Sequence, residues 1–226
     1  MKLSWRTELP PLLLIAATFA ASALSWGAAP ARIPVHWGMS GEPDRFGGRI
    51  EGLLLLPLVG LAIYLLMTFL PRIDPLHAGY ATFAGAYLTL RFAILALFTG
   101  IHAVILLTIR GARVEVGTVV PILVGALFLT ISRLLARLEP NWLVGLRTPW
   151  ALSSRRSWRA THRAGGKVFA AMGVVMMAMA LVRPGWPLWT MIALVAAGPI
   201  SLVIYSYRVW RDDPERQSPG REPPAP

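Results

Sequence analysis

The chain has 226 residues, no cysteine, and only 11 aspartates and glutamates. Without cysteine there is no disulfide, no thiolate zinc site and no thiol nucleophile. The carboxylates are too sparse to supply an evident acid pair inside an apolar segment, and Glu8 is the only one near the first such segment. Three catalytic strings are also missing: G-x-x-x-x-G-K-[ST], H-E-x-x-H and G-x-S-x-G. A P-loop, a helical zinc-protease site and a nucleophile elbow are thereby set aside. Charge of either sign is scarce, at 15% of residues. A soluble domain carries about 25%.

What the chain has instead is apolar length. Hydrophobic residues make up 55% of it and mean hydropathy is +0.57. Several runs reach the roughly 18 residues that a spanning helix requires, and backbone polar groups in lipid must pair within their own segment, so these runs are helices. Six are predicted, over Leu9–Trp26, Gly52–Leu70, Tyr87–Ile109, Gly117–Leu138, Lys167–Val182 and Trp186–Tyr207. The expected fold is all-α, a polytopic transmembrane helical bundle. Its membrane domain covers 1–208, with an outer loop at 27–51 and an inner loop at 139–166, and a tail follows at 209–226. From Asp212 to Pro226 the tail is polar and proline-rich; with no apolar face to bury, it is expected to be disordered. The first segment has the basic start and small residues of a cleavable signal peptide. A retained helix is the preferred reading, because its removal would leave five spans and put the two ends on opposite sides.

Orientation follows from lysine and arginine. With the N-terminus inside, fifteen of the 22 fall on inner segments and six on outer ones, Arg183 among the latter, while Arg91 lies within the third segment. That asymmetry places both termini in the cytoplasm. It also accounts for the net charge of +11. On a soluble protein such a charge would point to nucleic acid; here no direct nucleic-acid binding is expected.

Three groups of residues carry possible chemistry. In the outer loop, His36, Glu42 and Asp44 are close in sequence, and imidazole with carboxylates is a reasonable divalent-metal set. Their spacing matches no defined metal motif. The plainer reading is that His36 and Trp37 pack at the bilayer interface while Glu42 and Asp44 pair with Arg45 or Arg49. In the inner loop, Asn141, Gly145, Arg147, Thr148, Pro149 and Trp150 form a polar turn. Ser153 or Ser154 can then cap a helix on which Trp158, Thr161, His162 and Gly165 share one face. Arg155, Arg159 and Arg163 share a neighbouring face. This reads as an interfacial amphipathic helix, arginines toward phosphates or water. Topogenic charge explains the arginines well, and Asn141, Gly145, Arg147 and His162 less well. The third group is intramembrane. Arg91 lies near the inner end of its segment, where it can snorkel. His102, roughly 16 Å further along the axis, needs only one hydrogen bond to a neighbouring helix.

The inner-loop string P-N-W-L-V-G-L-R-T-P-W-A-L-S-S, continued by Trp158, His162 and Gly166, resembles the signature of the SdpI family of bacterial membrane proteins. The matching positions are Pro140, Asn141, Gly145, Arg147, Thr148, Pro149, Trp158, His162 and Gly166. The outer loop, with I-P-V-H-W and G-E-P-D, resembles a domain of unknown function that often begins these proteins, and L-P-R-I-D-P at Leu70–Pro75 fits the same pattern. The resemblance spans roughly residues 27 to 182. It implies a multipass protein of the bacterial cytoplasmic membrane, embedded in membrane lipids. It further implies an immunity protein against a secreted antimicrobial peptide toxin, which also relays the toxin's presence by holding a transcriptional repressor. Toxin would meet His36, Trp37, Glu42 and Asp44; the repressor would meet the inner loop and tail. No cofactor and no enzymatic activity are expected. Two other classes stay open on the residues alone. One is a membrane-embedded enzyme with a metal at His36, Glu42 and Asp44. The other is a small transporter using Arg91, His102 and the inner arginines, although the paired broken helices that would support it are not evident.

Overall fold

A computed structural model describes residues 4–38, 41–182 and 188–216. Lys2, Arg183, the start of the sixth predicted segment at Trp186, and tail residues 217–226 lie outside the described residues. Among the described residues, six long helices are apolar enough to cross a membrane: α1 (Trp5–Ser25), α2 (Arg49–Ile73), α3 (Tyr80–Ile109), α4 (Val116–Leu135), α6 (Arg155–Val182) and α7 (Leu188–Arg211). A single-turn helix, α5 (Pro149–Leu152), lies in the loop before α6. The expected all-α membrane bundle is borne out, with one addition: strands β1 (Ile33–Trp37) and β2 (Pro43–Gly47) form an antiparallel hairpin between α1 and α2.

The helices pack as two groups of three. α1, α2 and α3 pack together under the hairpin; α4 packs most extensively on α6, which packs on α7; and α3 joins the groups through α4. Large apolar side chains on the outside, such as Leu13, Leu24, Leu66, Phe69, Val174 and Ile200, remain exposed, as expected where lipid replaces water. The α4–α6 contact depends on small residues. A Cβ on Gly125 would lie 2.8 Å from the Gly173 carbonyl oxygen, and one on Gly173 would lie 2.7 Å from that of Gly125. Only glycine lets two helix backbones approach this closely, where van der Waals contact drives association.

Two polar ties bind α1, α2 and α3, one near each end. Toward the hairpin, His102 Nε2 lies 2.9 Å from Ser22 Oγ, and that hydroxyl lies 2.6 Å from the Leu53 carbonyl oxygen. The serine proton goes to Leu53, so the imidazole Nε2–H donates to the serine oxygen. His102 thus makes the expected hydrogen bond to a neighbouring helix through Nε2, while its Nδ1 is buried with no partner among the described residues. Toward the other end, Arg91 does not snorkel. Its guanidinium is 1% exposed and donates to both Glu8 carboxylate oxygens, at 2.8 and 2.9 Å, and to Thr68 Oγ1 at 2.9 Å. It also lies over the Tyr64 ring, 5.0 Å from the centroid, and Tyr64 donates to Glu8 at 2.8 Å. The snorkelling expectation failed because α3 begins at Tyr80, not Tyr87. Arg91 is therefore three turns inside the helix, beyond easy reach of its end.

Candidate functional site

The inner-loop residues gather at the end of the bundle opposite the hairpin, and the loop is fixed by side chains from several elements. Asn141 is completely buried. Its Oδ1 accepts the backbone N–H groups of Leu143 and Val144 at 3.1 and 2.6 Å, and its Nδ2 donates to the Glu139 carbonyl at 3.0 Å. This is an asparagine turn, where the side chain replaces a missing backbone partner. Gly145 follows with φ +106, a region that disfavours any Cβ.

The adjacent Leu146 N–H donates to His162 Nε2 at 3.1 Å, while His162 Nδ1 lies 2.8 Å from the Trp158 carbonyl oxygen. Nε2 is therefore an acceptor and Nδ1 carries the proton, the neutral tautomer. The imidazole stacks on the Trp158 ring at 4.1 Å between centroids, and Trp158 Nε1 donates to the Leu138 carbonyl at 3.0 Å. Thr148 caps α5 by accepting from Ala151 N–H at 3.2 Å and lies 3.2 Å from Ser206 Oγ on α7. Trp150 Nε1 also donates to Ser206 Oγ. Pro149 occupies the first position of α5, where its missing N–H costs least. Of the two serines proposed as caps, Ser154 caps α6, accepting from Ser157 N–H at 2.9 Å.

Sequence reasoning missed three groups that complete the site. Asp74, in L-P-R-I-D-P, is 1% exposed. It accepts from Leu76 N–H at 2.8 Å, Tyr80 O–H at 3.0 Å and Trp142 N–H at 3.2 Å, so the α2–α3 turn holds the loop from below. The resemblance of that string was the available signal. Ser206 and Asp213 gave no signal in the sequence. Asp213 accepts from Ser154 O–H at 2.5 Å. That bond above all, then the Glu215 N–H and the charges of Arg156 and Arg216, hold its carboxyl below the usual carboxylate range against the opposing effect of burial.

The expected amphipathic surface helix is not separate. Residues 155–166 are the first turns of α6, which runs unbroken for 28 residues. The proposed face is real: Trp158, Thr161, His162 and Gly165 are buried and Arg155, Arg159 and Arg163 exposed. It packs on the loop and α4 rather than on lipid, so the helix continues into its span. Arg147 remains exposed and donates to the Trp142 carbonyl at 2.7 Å, and the Trp142 side chain is itself 55% exposed. Asn141 and His162 hydrogen-bond backbone groups, and Asp74 hydrogen-bonds two backbone N–H groups and the Tyr80 hydroxyl. The exposed groups at this end include Trp142, Arg147 and Arg155, Arg159 and Arg163 of α6.

At the opposite end, His36 Nδ1 and Asp44 Oδ1 pair across the hairpin at 2.5 Å, both largely exposed. Among the described residues no three or more His, Cys, Asp or Glu side chains form a group that could hold a metal, so Glu42 does not join that pair as a ligand set. The expected pairing of Asp44 with Arg45 or Arg49 is also corrected. Arg45 on β2 reaches Glu51 in the first turn of α2, and Arg49, the first residue of α2, donates to the Ala29 carbonyl between α1 and β1 at 2.8 and 3.1 Å. Trp37 is half-buried beside the apolar cluster of Ile33, Leu53 and Ile105.

Comparison with known proteins agrees with this arrangement. Residues 137–206, which contain the loop, α6 and most of α7, match the SdpI/YfhL protein family. Residues 13–61, which contain most of α1, the hairpin and the start of α2, match a domain of unknown function, DUF1648. The chain is 22% identical over 201 residues to the immunity protein SdpI of Bacillus subtilis (strain 168), covering 88% of this chain and 94% of that protein. No solved structure matches. The SdpI-family resemblance and the domain that precedes it are thereby borne out in a multipass membrane protein.

Proposed function

We propose that this SdpI-family chain is an integral membrane immunity protein that protects a bacterial cell against a secreted antimicrobial peptide. The observation that carries the reading is the likeness to the SdpI immunity protein along nearly its whole length. The geometry supports a binding role over a catalytic one, because the polar groups of the inner loop serve its own backbone. In this reading both termini and the arginine-rich loop face the cytoplasm of the inner membrane and the hairpin faces out. The exposed His36–Asp44 pair, with Trp37 and Glu42, then meets the peptide. Peptide binding favours one arrangement of the bundle over another. Asn141, Gly145, Thr148, Pro149, Trp158 and His162 hold the loop that presents Arg147 to a cytoplasmic partner. The relay to a repressor belongs to the same proposal, and the tie of Asp213 to Ser154 favours it, since a shift of the segment at Asp213 would disturb the start of α6.

The test is a resistance assay in a toxin-sensitive strain challenged with a panel of secreted peptides. It compares wild type, His36→Ala and Arg147→Ala, with membrane levels checked by blot. Both substituted side chains are exposed, so the variants fold. Protection by wild type that His36→Ala abolishes supports peptide contact at the hairpin. Absence of protection against every peptide would overturn the immunity reading.

A further inference from the structure

We propose that the cleft between the end of α4 and the first turns of α6 is a binding site for a phosphate group, such as the headgroup of an acidic phospholipid carries. A cavity of about 190 Å³ opens there, lined by Arg137, Glu139, Arg159, His162 and Arg163 with backbone between Leu135 and Leu138. That is many times the roughly 10–15 Å³ one water requires on the same measure, so the cleft has room for a phosphate group. Arg159 and Arg163 are four residues apart, so their side chains lie on one side of the helix, and Arg137 faces them from beyond α4.

None of these three exposed arginines has an acidic partner among the described residues. Like charges at this spacing repel, and Glu139 is the one acid in the lining. His162 adds no charge, because its Nε2 already accepts the Leu146 N–H. The cleft is thus a three-arginine concavity whose single acid, Glu139, leaves it with a net positive charge. The guanidinium fork matches phosphate oxygens in pairs. Its height fits as well. α4 leaves its apolar span at Leu135, and the exposed Trp142 follows, an aromatic of the kind that sits at headgroup level. Basic clefts between helices at this depth take phospholipid headgroups.

The experiment uses the full chain in neutral detergent and measures retained ligand by native mass spectrometry. Phosphatidylglycerol, phosphatidylcholine and inorganic phosphate are titrated separately. Phosphatidylglycerol is expected to bind well above phosphatidylcholine. Arg159→Gln with Arg163→Gln should weaken it about thirty-fold, the combined effect of two surface arginines. Arg155→Gln with Arg208→Gln removes the same charge from the same end but outside the cleft, and should leave affinity near wild type. Arg159→Lys with Arg163→Lys keeps charge without the fork and should fall between. Inorganic phosphate that binds alone and displaces the lipid assigns the site to any phosphate anion; lipid binding that phosphate does not disturb assigns it to the headgroup in the membrane. Equal binding of the two lipids, or equal loss in the two glutamine variants, would overturn the proposal.

Discussion

Gly145→Ala is the substitution whose cost is most directly legible in the geometry. The residue sits at φ +106, and a Cβ there would lie 2.5 Å from His162 Nε2 and 2.9 Å from Leu138 Cδ1. Holding a non-glycine residue in such a conformation costs about 1–3 kcal/mol. Displacing the imidazole also breaks the Leu146 N–H bond and strands a part-buried donor, about 1 kcal/mol more. The expected loss is about 2–4 kcal/mol, a fall of about 4–16 °C in thermal midpoint for a chain of this size. Tryptophan fluorescence during heating in detergent reads it, with Trp158 stacked on the affected ring. The control is Gly85→Ala, on an exposed face of α3 where an added Cβ meets nothing within 4 Å. It should leave the midpoint unchanged or raise it. His162→Ala removes the clash partner, so the double variant should be less damaged than the sum of its parts by about 1 kcal/mol or more. Equal midpoints for the two glycine variants, or strict additivity with His162→Ala, would refute the account.

Three further outcomes are expected. Glu8→Leu alone leaves the buried Arg91 guanidinium unpaired and should cost about 3–5 kcal/mol, whereas Glu8→Leu with Arg91→Met should recover most of it; thermal midpoints of the two compare them. The natural absence of cysteine permits single-site labelling: Glu42→Cys should react with a membrane-impermeant maleimide in intact cells and Trp142→Cys should not, and the reverse pattern would invert the proposed orientation. The Asp213 carboxyl titrates below its ordinary value of 3.8. Its contribution to stability is therefore fully present above that value and is lost as pH falls through the lower folded value. A midpoint that declines below about pH 4 in wild type and less so in Asp213→Asn is the expected result, read by the same fluorescence melt.

The spans were legible because lipid imposes a single simple demand, and apolar runs of sufficient length announce it. Their ends were less so. The starts of α3 and α6 lie outside the predicted segments because Tyr80–Ala86 and Arg155–Gly166 bury one face against protein, and average hydropathy does not register a face. The hairpin was read only as part of an outer loop, since prolines at 34 and 43 and shifts in register leave little alternation. Arg91 was misread because its partner is 83 residues away on another helix; the one trace in the sequence was that Glu8 is the lone carboxylate near the first span. The inner-loop residues do lie together, but several groups that hold them come from distant positions: Asp74 on the Trp142 N–H, Ser206 on Thr148 and Trp150, and Asp213 on Ser154.

The imidazole of His162 has both nitrogens committed, one to a turn and one to its own helix. The string that names the family is therefore, at this position, an instruction for closing a loop. Replacing His162 opens the turn and the helix start together, while His36, Asp44 and the outward arginines of α6 are exposed and can change without the loop coming apart. In this fold the residues that define the loop and the residues that face outward are different sets, so each can vary without the other.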